Sequence, residues 1–280
     1  MPNHIDNNVL IIANDELVKQ IRDEIRGDEI DSNTGERVCI DFDKIVPMPK
    51  ELEDTRSPSQ IVTKEEYDKQ EARFIELKAL CKAINEKDEK EHTDEDKKIL
   101  QEMYFFSRSL TQELSDEYKA KFGYDNWYDW KVNNTGTKWG AYTCVGGDHS
   151  ENYLFFQTAW AHPETLMVKL SEKYPEAIFV STFADEDTGS NCGVIAYKDG
   201  KAKFEDGSIQ AHDENFGTAF AYSVQYGGDA EEQVEMGVED ECIDKDDAEK
   251  MFKILKSDHQ LIKVAQYLCE ENAKFLTDML

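Results

Sequence analysis

The sequence predicts an α+β fold in which two strand–helix–strand units build one antiparallel sheet around a helical insertion. Three observations carry this prediction. A β-rich apolar run followed by a helical periodicity occurs twice, the stretch Thr63 to Phe122 between the two is charged with apolar residues at helical intervals, and three of the four tryptophans crowd into the segment Trp127 to Tyr142. Alternation with period two marks a half-buried strand, and recurrence near 3.6 residues marks an amphipathic helix.

The first β-rich run is Asn8 to Ala13, and Asn14 or Asp15 caps the helix after it, where Leu17, Val18, Ile21 and Ile25 share one face before Gly27 ends it. A second strand is expected at Val38 to Phe42, leaving the sheet through Pro47 and Pro49, which force extended backbone. Two antiparallel helices follow, one carrying Phe74, Leu77, Leu80 and Ile84, the other Ile99, Met103, Phe106 and Leu110. Thr93 with Asp96 three residues on forms a capping arrangement for the second. In the Trp127 to Tyr142 segment, Asn133, Asn134 and Gly136 supply turn conformations between large aromatics.

The second unit is a strand at Tyr153 to Thr158, a helix opened by His162 and Pro163 through Leu166, Met167 and Leu170, and a strand at Ala177 to Phe183. Two split β-α-β units of this kind match the ferredoxin-like arrangement, a sheet with one face buried under two helices. Further strands are expected at Cys192 to Tyr197 and at Ala219 to Val224, with Gly146-Gly147 and Gly227-Gly228 as hairpin connections. Two helical stripes close the chain, Met251, Phe252 and Leu255, then Leu261, Ile262, Ala265, Leu268 and Leu276. They pack onto their own domain or mediate a homo-oligomer. The organisation read from this pattern is a ferredoxin-like core at 1–55 and 123–200, a helical insertion at 56–122, and an acidic β extension with C-terminal helices at 201–280.

Composition narrows function more by exclusion than by assignment. The 60 acidic and 32 basic residues leave a net charge of −28, a field that repels nucleic acid and anionic membranes and attracts basic partners. No apolar run reaches the roughly 18 residues of a membrane span, and the first residues lack the regions of a signal peptide, so a soluble protein of the cytoplasm is expected. The six cysteines form no Cys-x-x-Cys pair, and the six histidines show no ligand spacing, so no metal site is expected. The acids beside His149 and His212 are read as solvated loops. Nucleophile-elbow, Walker and dinucleotide fingerprints are absent, and no cofactor or catalytic residue is assigned.

Two candidate sites remain. The first is an anionic surface of Asp229, Glu231, Glu232, Glu235, Glu239, Asp240, Glu241, Asp244, Asp246 and Asp247, where, with Glu249, eleven carboxylates face Lys245 alone. The second is an aromatic pocket of Trp127, Trp130, Asn133, Asn134, Lys138, Trp139 and Trp160, able to stack a planar ligand and hold its edges. The plainer reading of the second is a fold core, in which the tryptophans fill the sheet–helix interface and the asparagines satisfy turns.

The opening Pro2 to Ile11, the run Asp41 to Pro49, the Trp127 to Tyr142 segment, and Phe156 to Trp160 followed by Pro163 occur in an order that resembles the YubB-like proteins of phages and plasmids. Thr135 stands where that family's Asn-Trp-Gly-Thr-Lys-Trp pattern has a bulky aromatic. The resemblance implies a ferredoxin-like domain in a mobile-element protein of the bacterial cytoplasm, and supplies no catalytic residues. Together with the charge, it leads to the expectation of an interaction protein that inhibits a host antiphage defence complex, a nuclease or NTPase with a basic surface, by acidic-surface binding or DNA mimicry and without catalysis. The alternative is a small-ligand-binding protein or enzyme with its pocket at residues 127–142.

Overall fold

The computed structural model describes residues 3–145, 152–202 and 214–269. The Gly146-Gly147 connection, His149, His212 and Leu276 lie outside the described residues. The chain divides into two compact units, Met1–Pro47 with Asn133–Leu280, and Met48–Val132.

The first unit is built on a six-stranded sheet. Strands β1 (His4–Ile12), β2 (Tyr142–Val145), β3 (Tyr153–Ala159), β4 (Ile178–Asp185), β5 (Gly193–Lys198) and β6 (Lys201–Ala202) lie in the order β2-β3-β1-β4-β5-β6 with every neighbour antiparallel. Helix α1 (Asp15–Ile25) follows β1, and the chain returns to the sheet as β2, on the far side of β3, only after residues 26–141; α7 (Glu164–Lys173) connects β3 to β4 across β1. Within the first compact unit, β1-α1-β2 and β3-α7-β4 are therefore both split β-α-β motifs, and this unit is ferredoxin-like.

Alternation along β1 distributes its side chains between two cores. Ile5, Val9 and Ile11 pack with Val18, Ile21 and Ile25 of α1 and Leu166, Met167 and Leu170 of α7. Leu10, on the opposite face, packs with Tyr153, Val180, Ala196 and Val264, the last from α11 (Gln260–Cys269). The sheet is thus covered on both faces, which explains the near-continuous burial of β1 and β4.

Two expected strands are not strands. Val38 to Phe42 is irregular backbone tucked against the end of α1, where Val38 O accepts from Gly27 N at 2.8 Å and Asp41 N donates to Ile25 O at 2.7 Å. Its apolar residues are there for burial, since Cys39 and Ile40 are fully enclosed in the α1/α7 core, and Phe42 already begins α2 (Phe42–Ile45). The strand that completes the first split unit is β2, at the end of the tryptophan-rich segment. Ala219 to Val224 lies within a helix, α8 (Glu214–Tyr226). Phe220, Ala221 and Val224 face one core while Ala219 faces another, and a helix buried all round loses the one-sided stripe that would identify it.

The described residues of the C-terminal stripes pack within the first unit. Met251 and Leu255 of α10 (Lys245–Leu255) meet Ala230 and Val234 of α9 (Ala230–Glu239) and Ala219 of α8, and Ile262 and Ala265 of α11 meet Phe220 and Val224.

The second unit holds α3 (Lys64–Asn85), α4 (Asp94–Tyr104) and α5 (Gln112–Phe122), three helices where two were expected. Thr93 and Asp96 form a complete capping box at α4, as the sequence indicates. Phe106 and Leu110 fall after the end of α4, where Leu110 bridges Ile61 and Phe106 stacks on Phe74 at 5.1 Å. Asp125 organises the turn before α6 (Trp127–Thr135). Burial pushes its carboxyl up, but bonds from Ser115, Ser59, Lys119 and Asn126 outweigh this and hold it well below the usual range.

Candidate functional sites

The expected turn around Asn133 and Asn134 is instead the last stretch of helix α6, started by Asn126, whose Oδ1 accepts from Asp129 N at 2.9 Å. Gly136, at φ +88°, ends that helix in the left-handed conformation, and a Cβ there would sit 3.2 Å from Glu164 N. Thr137 then donates to Ala159 O at 2.7 Å, which ties Lys138 and Trp139 to the end of β3.

Trp160 follows β3 with φ +69°, a left-handed backbone that a bulky residue adopts only at a cost. A buried chain of hydrogen bonds surrounds its turn. His162 Nε2 lies 2.9 Å from the Tyr197 hydroxyl and Nδ1 2.7 Å from Asn7 Oδ1. The amide oxygen accepts only, so Nδ1 carries the proton and Tyr197 donates to Nε2. Asn7 Nδ2 donates to Thr158 Oγ1 at 2.9 Å, and Thr158 donates to Ala161 O at 2.8 Å. The Trp160 backbone is further held by its own N–H to Asn3 O at 2.9 Å and by Asn191 Nδ2 to its carbonyl at 3.2 Å. Burial drives the His162 pKa down to about 3, so the imidazole is neutral, and it stacks on Phe183 at 4.5 Å.

These constraints place Trp139 and Trp160 side by side, their ring centroids 6.5 Å apart and planes within 22°. Lys138 Nζ lies 4.6 Å from one centroid and 4.8 Å from the other. Both indoles remain substantially exposed, 40% and 45%. On the neighbouring strands β1, β2 and β3, His4 Nδ1 is 2.8 Å from the Tyr142 hydroxyl, and Gln157 Nε2 donates to Asp6 at 2.8 Å. Burial, followed by the negative charges of Glu186 and Asp6, pushes the Tyr142 hydroxyl up to about 12, and burial raises the Asp6 carboxyl. Tyr142 therefore stays protonated at neutral pH and serves as a hydrogen-bonding group.

Of the seven pocket residues expected, the structure brings together Lys138, Trp139 and Trp160. Trp127 and Trp130 belong to the other compact unit, where Trp130 is buried and Trp127 is half-buried against Tyr128. Asn133 is exposed and Asn134 half-buried. The Asn7–His162–Tyr197 chain escaped sequence reasoning because its members are far apart in the chain and none belongs to a recognised motif.

The ten candidate acids occupy α9, α10 and the turn between them, with Asp229 just ahead of α9. The apolar faces of these helices point inward, which leaves nine of the ten exposed and Glu231 half-buried. Glu231 pairs with Lys256 at 2.9 Å and Asp247 with Lys250 at 2.8 Å; Asp244 caps α10 by accepting from Asp246 N at 2.8 Å. The turn is compact because Gly237 lacks a Cβ: one built there would lie 2.6 Å from Ile243 Cδ1. Beside it a cleft of about 360 Å³ is lined by Thr188, Thr218, Tyr222, Ile243, Asp244 and Asp247. Its carboxylates favour a cationic occupant. Among the described residues no three His, Cys, Asp or Glu side chains gather as a metal site, and no helix is long and apolar enough to cross a membrane.

The fold and these surfaces define a ferredoxin-like α+β protein with an acidic helical annex. Residues 138–234, from Lys138 through α8 into α9, match the family model described as the ferredoxin-like domain in Api92-like protein. Among solved structures, the chain is similar to the protein api92 from Yersinia pseudotuberculosis at 10% identity and a TM-score of 0.32, over 72% of this chain and 96% of that one. No curated protein matches.

Proposed function

We propose that this chain is an interaction protein of a phage or related mobile element that engages a basic surface of a host protein, without catalysis. The observation that carries this reading is the α9–α10 hairpin and its exposed carboxylates. Glu231, Glu235 and Glu239 recur every fourth residue, about 6 Å apart along one helix face. Like charges at that spacing each cost about 0.2–0.5 kcal/mol, a burden that a basic partner relieves.

A defence nuclease or NTPase suits this surface, because its nucleic-acid-binding face is positive and a row of carboxylates substitutes for phosphates. The outcome is inhibition by occupation, a form of DNA mimicry. The YubB-like resemblance supports the mobile-element setting and the bacterial cytoplasm as its location. Replacing Glu232, Glu235, Glu239, Asp240 and Asp246 with their amides tests the reading, since the fold does not depend on these exposed groups. Loss of partner binding with unchanged circular dichroism is expected, and undiminished binding would falsify the electrostatic mechanism.

A further inference from the structure

We infer that Trp139 and Trp160 form a receptor for a basic side chain of a partner protein, and that Lys138 occupies this receptor in the free chain. The inference rests on the proposed basic partner and places a second contact for it, at the end of the sheet where β3 finishes rather than on α9–α10. Lys138 acts as an internal probe of what the indole faces accept: its ammonium lies within cation–π range of both rings at once. Indole faces are electron-rich, and the same end of the sheet carries Asp185, the last residue of β4, whose carboxylate receives Asn3 and Asn191, together with the exposed Glu186 and Asp187. Among the described residues neither Glu186 nor Asp187 has an ion pair. Charge and ring chemistry both select a cation.

The backbone supplies an independent observation. Trp160 is held at φ +69° by Asn3, Asn191 and the buried chain through His162, yet nearly half of its surface remains open. A strained conformation that displays a ring rather than burying it points to recognition, and exposed tryptophans are enriched among residues that dominate protein interfaces. Lys138 sits on a flexible four-carbon stem and can swing away when a partner lysine or arginine enters.

Titration of the full-length chain with tetramethylammonium chloride, against sodium chloride at equal ionic strength, tests this through the four indole Nε1–H resonances in NMR spectra. Trp139→Phe and Trp160→Gly assign two of them, and circular dichroism confirms that each variant is folded. The expected result is a saturable shift of the Trp139 and Trp160 resonances, roughly 5-fold tighter in Lys138→Ala because the internal competitor is gone. No shift in either protein, weaker binding in Lys138→Ala, or preferential binding of adenosine monophosphate overturns the inference, the last in favour of a planar anionic ligand. Because the probe needs no partner, saturation that survives amidation of the α9–α10 acids supports this site even if the hairpin reading fails.

Discussion

The buried His162 makes stability fall with acid in a window set by its own titration. In the folded chain burial lowers its pKa to about 3, while an unfolded histidine titrates near 6.5, so between these values the unfolded state binds a proton that the folded state refuses. The stabilisation is complete above about pH 6.5 and is lost as pH falls, at about 1.4 kcal/mol per unit. Between pH 7 and pH 5 the loss from this one group is therefore about 2 kcal/mol. His162→Phe keeps an aromatic ring against Phe183 but removes the titration, and leaves Asn7 Oδ1 and the Tyr197 hydroxyl without their partner. Urea unfolding followed by circular dichroism at pH 7 and pH 5 reads both effects, staying above the isoelectric point of about 4.5. The variant is expected to be the less stable protein at pH 7, with the gap closing by about 2 kcal/mol at pH 5. An equal gap at the two pH values would show that the imidazole is not held neutral.

Thr182 has a buried hydroxyl with no hydrogen-bond partner among the described residues, so Thr182→Val is expected to raise the urea midpoint, by a stability gain of about 1 kcal/mol. Gly136→Ala is expected to lose about 1–2 kcal/mol, because it combines a left-handed backbone with a Cβ pressed on the Pro163–Glu164 peptide; a variant as stable as the parent would refute that geometry. Trp160→Gly relieves the backbone cost of φ +69° while discarding the ring, and is expected to stay within about 1 kcal/mol of the parent in the same unfolding assay.

The second split unit was legible because β3, α7 and β4 each show one period and end at identifiable residues. The first was only half legible. Val38 to Phe42 has the composition of a strand, but its hydrogen bonds go to the end of α1, whereas β2 is four residues long and follows a segment dominated by tryptophan. Helix α6 was obscured by its aromatics and asparagines, although Asn126 and Gly136 mark its ends. Helix α8 failed as a pattern because two cores bury it from opposite sides. The acidic surface needed only sequence, since a carboxylate run on amphipathic helices has nowhere to go but solvent. The tryptophan pair needed structure: Trp139 and Trp160 stand 21 positions apart and meet only because β3 returns beside β2.

Charge complementarity at α9–α10 is tested by parallel capture from bacterial lysate, using the parent chain and the five-residue amide variant at low and high salt. A basic partner is expected to be retained by the parent at low salt, released at high salt, and absent from the variant at both. The same partner recovered equally by parent and variant would contradict it.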